Sequence, residues 1–267
     1  MDTSFDTSFA PTQPNSPLLW TDVTVEGSGY SNGLFSSYLP ARDVEDVEVD
    51  QEEDSPSEPS AWSLSIAKRC LDFAVAALAL FLSWPLLVLA AALVRLQSSG
   101  PVIFRQKRVG QGGKLFTLFK FRTMDVASGQ DGPSLTRSGD PRITKFGRLL
   151  RKYKLDELPQ LINVLRGEMS LIGPRPKVPH LEVMEMPFRP GLTGAATLAF
   201  RCEEEMLQDI PAHELESYYC RAIQPLKAKL DREYMRQATL ATDLALLYQT
   251  ATACISRRPN QWTVDLS

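Results

Sequence analysis

From Phe73 to Val94 the chain runs 22 residues without a charge, "FAVAALALFLSWPLLVLAAALV". At 1.5 Å per residue a helix of this length reaches about 33 Å, close to the thickness of a bilayer's hydrocarbon core. The pattern predicts a membrane-embedded helix. Pro85 stands mid-run, after Ser83 and Trp84, where it removes a helix hydrogen bond and favours a kink. The Ser83 hydroxyl is close enough to satisfy a freed backbone group. Lys68 and Arg69 precede the run, and Arg95, Arg105, Lys107 and Arg108 follow it. Positive charge marks the cytoplasmic side of a membrane segment, and here both flanks carry it. A broken helix that dips in and returns to the same face accounts for this; a kinked single span is the alternative, and the sequence leaves both open.

Beyond the run, "GPVIFRQKRVGQGGKLFTLFKFRTM" alternates like two short strands of a hairpin turned at "GQGG". Residues 126–141 read as a polar, glycine-rich loop. A helix is predicted from Thr144 to Lys154, with Phe146, Leu149, Leu150 and Tyr153 on one face and Lys145, Arg148, Arg151 and Lys152 opposite. Leu158, Leu161, Ile162 and Leu165 mark a second helix that stops at "RGE". "SLIGPRPKVP" and "FRPGLTG" read as rigid loops, and the pattern is helical from Ala212 onward. The fold class predicted is α+β and mostly helical, with the membrane helix in residues 61–98 and a catalytic-sized domain with a small β-hairpin in residues 99–267.

Charge sharpens this division. Residues 1–60 hold 13 acids and one base, Arg42, whereas residues 61–267 hold 28 bases and 19 acids. The leader cannot bury enough apolar surface to offset its ordering entropy, so it is predicted to be mostly disordered. The basic body calls for an anionic partner: nucleic acid, anionic lipid or a phosphorylated substrate. No nucleic-acid-binding motif is present, and the apolar run favours lipid over nucleic acid. Four scattered cysteines and two histidines support neither a zinc site nor a disulfide framework. The N-terminus lacks a basic stretch followed by an apolar core, so no cleavable signal peptide is expected.

The candidate chemistry lies in "LDELPQ", residues 155–160. If the second helix begins near Asp156, Pro159 falls in its first turn, where a missing N–H costs little. Asp156 or Glu157 would then face unpaired amides and the positive end of the helix dipole, which favours an ionised carboxylate. That describes an N-cap, and equally a carboxylate nucleophile or metal ligand. Lys120 and Arg122 in "FKFRTM", Arg175 in "GPRP" and Arg189 in "FRPGLTG" supply cations on short rigid segments suited to phosphate. "VGQGGKL" lacks the spacing of a phosphate loop and reads as a turn.

Taken in order, "KRCLDF", the apolar run broken at "SWP", "GPVIFRQKRVG", "FKFRTM", "ITKFGRLLRKYKLDELPQLINVLRGEMSLIGPRP" and "RPGLTG" resemble the bacterial sugar transferase family, the monotopic polyprenyl-phosphate phosphoglycosyl transferases. The resemblance spans about Ala67 to Ile255. It implies transfer of a sugar-1-phosphate from a UDP-sugar to polyprenyl (undecaprenyl) phosphate, opening exopolysaccharide or glycoconjugate synthesis. By that likeness Asp156 is the nucleophile of a covalent phosphosugar-aspartate, UMP leaves, and Glu157 helps hold Mg²⁺. Lys120, Arg175 and Arg189 would contact phosphate, and Ser83 and Pro85 would mark the turn of a re-entrant helix. The catalytic domain would face the cytosol at the bacterial inner membrane, among membrane lipids and open to homo-oligomer formation. The alternative is a catalytically inactive, membrane-anchored binding homologue. One departure stands out: after "RPGLTG" many members continue with an aromatic and "QVxGR", where this chain has "AATLAFRCEEEML".

Overall fold

The computed structural model describes residues 59–125, 135–136, 138–181 and 187–255. The predicted acidic leader, up to residue 58, and residues 126–134 and 137 of the predicted 126–141 loop lie outside the described residues.

Two serines start the helical part of the chain. The Ser60 hydroxyl accepts from the Ser63 amide at 3.3 Å and opens α1, Ala61–Leu64. Ser65 does the same for the Lys68 amide at 3.0 Å and opens α2, Ile66–Gln97. Oxygen-bearing caps of this kind satisfy amides that have no helical partner. α2 contains the whole apolar run and is long and apolar enough to cross a membrane. It continues through Pro85, and the Ser83 hydroxyl is buried without a hydrogen-bond partner, so the expected rescue of a freed backbone group is not made.

Most of the run faces outward. Phe81 is 72% exposed and Trp84 59%, and Phe73, Leu78, Leu82, Leu86, Val88, Leu89 and Leu93 are exposed as well. At about 1.5–3 kcal/mol per fully buried side chain, leaving such a surface in water forfeits on the order of 10 kcal/mol, comparable with the net stability of a whole domain. This surface needs an apolar solvent.

Both ends of α2 are tied to the rest of the chain. Near its start Lys68 is 5% and Asp243 1% exposed, and Lys68 Nζ meets Asp243 Oδ2 at 2.5 Å. Trp62 Nε1 donates to the same oxygen at 2.9 Å, and the Tyr234 hydroxyl donates to Oδ1. Asp72 accepts from the Leu171 amide and the Ser170 hydroxyl. Near its end Ala90 and Val94 pack on Phe121 and Leu150, and the Gln97 side-chain oxygen accepts from the Phe146 amide.

The expected hairpin forms. β1 (Ile103–Val109) and β2 (Leu115–Phe121) pair antiparallel, with Phe104 opposite Lys120 and Arg108 opposite Phe116. α3 (Lys145–Lys152) is capped by Thr144, whose hydroxyl accepts from the Gly147 amide at 3.0 Å. It ends short of the predicted Lys154, which adopts a left-handed conformation with φ 55°. The second helix begins as a 3-10 turn, Leu155–Gln160, and becomes α4, Leu161–Arg166, which stops at Gly167 with φ 83°. Asn163 fixes α4 to β2: it donates to the Thr117 carbonyl at 2.8 Å and accepts from the Phe119 amide at 3.2 Å.

The two stretches read as loops pair instead. β3 (Ser170–Ile172) and β4 (Gly191–Thr193) form a short parallel ladder, Ser170 opposite Gly191 and Ile172 opposite Thr193. A β-carbon at Gly191 would collide with the Gly173 backbone, so the crossing requires glycine there. Beyond it come α5 (Ala195–Ala199), α6 (Glu203–Met206), α7 (Leu215–Tyr218), a π-helical turn at Tyr219–Ile223, α8 (Gln224–Gln237) and α9 (Leu240–Ile255). The described fold is mostly helical, with two two-stranded sheets and one long apolar helix.

Replacing Asp243 by Ala strands a buried lysine, so unfolding in detergent should show a loss of about 3–5 kcal/mol. A loss below about 1 kcal/mol would mean that Asp243 does not anchor α2.

Candidate active site

The acid pair sits where α3, β2 and the β3–β4 crossing meet. The left-handed Lys154 turns the chain out of α3 and starts the 3-10 turn, placing both acids in its first turn. Neither acid caps the helix: Lys154 holds the cap position without a side-chain bond, and the Glu157 amide donates to the Lys154 carbonyl. Pro159 lies within the turn, as its tolerated first-turn placement predicts.

The two acids meet opposite fates. Glu157 accepts both arms of the Arg175 guanidinium, Nη1 to Oε2 at 3.1 Å and Nη2 to Oε1. Burial alone would raise its carboxyl, but Arg175, Lys154 and Lys120 outweigh burial and hold it down at about 2. Asp156 is 6% exposed, and its Oδ1 is buried with no hydrogen-bond partner. Burial first, then the neighbouring Glu157 charge, pushes its carboxyl up to about 6 against the pull of Lys120, Lys154 and Arg151. The expectation that the dipole and cations would dominate at Asp156 is therefore reversed by desolvation, although the group remains mainly ionised at pH 7.

Lys120 lies half-buried on β2, its ammonium 5.1 Å from the Phe104 ring across the hairpin. Burial lowers it to about 8, with Asp156 opposing. β2 packs on the acid-bearing turn, so Lys120 and Asp156 act on one another directly through their charges.

The structure brings Asp156, Glu157, Lys120 and Arg175 together, and sends the other two predicted phosphate contacts elsewhere. Arg189 Nε donates to the Gly167 carbonyl at 2.9 Å, beside Arg69, which donates to the Val164 and Leu165 carbonyls. Both arginines satisfy carbonyls at the C-terminal end of α4, where orphan acceptors and the dipole favour cations. Arg122 turns to the end of α2 and donates to Ser98.

Other groups at the site carried no motif. Arg108 donates to the Pro176 carbonyl at 3.1 Å, and burial together with the Arg175 charge lowers it to about 10. Strand alternation could have found it, since Phe104 and Arg108 share the face that carries Lys120. Arg151 pairs with Glu204 at 2.5 Å and Lys227 with Glu203 at 2.6 Å, so the divergent segment after "RPGLTG" reaches the cations of the site. Nothing local in the sequence links these partners.

For a metal, Glu157 is available only in part, because both oxygens already face Arg175. Among the described residues no three His, Cys, Asp or Glu side chains cluster as a cage. The unpartnered Asp156 oxygen and the remaining lone pairs of Glu157 fit Mg²⁺, which takes one or two carboxylates and completes its shell with water and substrate phosphates.

Residues 63–257 match the family described as bacterial sugar transferase. A UDP-glucose:undecaprenyl-phosphate glucose-1-phosphate transferase of Caulobacter vibrioides is 46% identical over 147 residues, 50% of this chain and 54% of that protein. A UDP-N-acetylgalactosamine-undecaprenyl-phosphate N-acetylgalactosaminephosphotransferase of Aeromonas hydrophila is 44% identical, over 48% of this chain and 33% of its own length. The exopolysaccharide production protein ExoY of Rhizobium meliloti is 35% identical, over 72% of this chain and 87% of its own length. The aligned part of the chain thus spans about half or less of the first two relatives.

The folded value of Asp156, about 6, lies above its ordinary 3.8, so folding favours the protonated acid. This contribution is fully present below about pH 4 and is lost as pH rises through about 6; its size is on the order of 3 kcal/mol. Asp156→Asn should therefore gain stability relative to the parent between pH 4 and pH 7. Denaturant unfolding at the two pH values checks this, and a constant difference would refute the raised value.

Proposed function

Since the chain belongs to the bacterial sugar transferase family, we propose that it transfers a sugar-1-phosphate from a UDP-sugar to polyprenyl phosphate at a membrane surface. The observation that carries this reading is the bare, buried Asp156 carboxylate beside a cation-clamped Glu157. A carboxylate oxygen without a hydrogen-bond partner, as Asp156 Oδ1 is, is a stronger nucleophile than a solvated one and is free to form a new bond.

In the proposed reaction Asp156 forms a bond to the sugar-side phosphorus, and the bridging oxygen leaves with UMP. An oxygen of the acceptor phosphate then attacks the same phosphorus and displaces the Asp156 carboxylate, giving a lipid diphosphate-sugar. Lys120 and Arg108 offset phosphate charge from one face of the hairpin, and Arg175 orients Glu157. Mg²⁺, held by Glu157 and Asp156 with substrate oxygens, would supply charge neutralisation of the diphosphate and of the departing UMP. The relatives named above use glucose and N-acetylgalactosamine donors, so the family alone does not choose the sugar.

The same reading embeds α2 in the bilayer and returns it to the entry face, the catalytic domain lying on the cytosolic side. Its support is that both ends of α2 dock on one body while the centre stays exposed, with cations on both flanks. Charge-flanked ends held on one body suit a helix that penetrates and returns better than one that must deliver an end across the membrane.

Asp156→Asn should abolish UMP release from a UDP-sugar while the protein still folds and inserts; normal turnover by the variant would remove Asp156 as nucleophile, and no release by the parent would favour the inactive homologue. For the helix, single cysteines at positions 65 and 98, in a background freed of the four native cysteines, should both label from the cytosolic side. Labelling from opposite sides would rule out re-entry.

A further inference from the structure

Arg122 is a cation that the fold buries and only half satisfies. The residue is 6% exposed. Its Nη2 donates to the Ser98 carbonyl at 2.7 Å and the Ser98 hydroxyl at 2.8 Å. Nε and Nη1 are buried with no hydrogen-bond partner, and no carboxylate pairs with this guanidinium among the described residues. A buried charge without a counter-ion is costly, and the negative end of the α2 dipole offsets only part of the cost. The unused donors are those of an anion receptor.

Position identifies the kind of anion. Ser98 is the C-cap of α2, four residues beyond Val94, where the apolar run ends. That is about 6 Å of helix rise past the hydrocarbon-matched segment, the depth at which lipid headgroups lie. Leu89, Leu93 and Leu96 are exposed at helical spacing on the approach to Ser98 and offer a track for an acyl or prenyl chain. Lys120 precedes Arg122 by two residues, roughly 7 Å of extended chain; Arg122 stands one residue past the end of β2, where its amide donates to the Val102 carbonyl at 2.9 Å. A charge entering at Arg122 is thus one step from Lys120, which acts on Asp156.

We propose that Arg122, with the Ser98 hydroxyl, receives the phosphate of a chain-bearing acceptor lipid at the membrane boundary and stages it for transfer at Asp156. The site rests on the transferase reading above and adds an entry point for the second substrate. A bilayer phospholipid presents the same phosphate chemistry, and the experiment separates the two sources.

The full chain in phosphatidylcholine nanodiscs is titrated with farnesyl phosphate and, separately, with farnesol and inorganic phosphate. The parent should bind farnesyl phosphate at least about tenfold tighter than either, the scale of one charge-assisted hydrogen-bonded pair. Arg122→Gln should lose that margin, and Arg122→Lys should keep part of it. Ser98→Ala, a milder change, should weaken farnesyl phosphate binding severalfold even if the glutamine variant fails to fold. Unchanged farnesyl phosphate binding by folded Arg122→Gln or by Ser98→Ala would overturn the proposal. So would loss of the Arg122-dependent margin in phosphatidylglycerol nanodiscs, which would assign the site to bilayer lipid. UMP release without acceptor is measured alongside: its absence in the parent would sink the transfer reaction, whereas the binding margin is read without turnover.

Discussion

A buried carboxylate oxygen with no hydrogen bond is unstable unless its surroundings balance it, and Asp156 Oδ1 imposes that constraint on the elements around it. Two acids adjacent in sequence cannot both stay ionised and bare in one buried site. The structure resolves the conflict by giving Glu157 a two-armed arginine and leaving Asp156 only the longer-range field of Lys120, Lys154 and Arg151. The same environment pushes one carboxyl to about 2 and the other to about 6. Environment alone divides the pair: one acid is fixed and neutralised, and the other keeps an oxygen without a partner.

That balance needs cations from three separate stretches, and backbone constraints deliver each. Asn163 ties α4 to β2 and so sets Lys120 against the acid-bearing turn. The glycine crossing of β3 and β4 carries the "GPRP" strand end to Glu157, and Arg108 holds the Pro176 carbonyl next to Arg175. Asn163 contributes two hydrogen bonds and Arg108 one, each worth roughly 1 kcal/mol. Their value is geometric, since the field at Asp156 depends on where the charges stand.

Sequence reasoning reached the features that repeat locally and missed those that depend on distant partners. The apolar run, the hairpin and the acid pair could be read because hydrophobic period, turn glycines and residue type signal them directly. The positions of Arg189 and Arg122 could not be read for one physical reason: helix C-termini also attract cations, and no local pattern tells which helix end a loop arginine will meet. The parallel ladder was invisible because strands of three residues carry no alternation. The Lys68–Asp243 pair joins residues 175 positions apart, a separation at which single-sequence patterns carry no information.

The long apolar helix and the acid-bearing turn are not independent modules. Arg69, from the charged flank of α2, holds the Val164 and Leu165 carbonyls of α4, the helix that the acid-bearing turn opens. Asp72, one turn further on in α2, accepts from Ser170 and Leu171 of β3, the strand that leads into "GPRP". Thus the N-terminal end of α2 grips both segments that place Glu157 and Arg175. Its C-terminal end is held by Arg122, two residues beyond Lys120. A helix anchored at both ends to the elements that carry the acid pair and its cations fixes the distance from the apolar surface to Asp156. For the proposed transfer between a nucleotide sugar and a lipid phosphate, that distance is the quantity the fold must control.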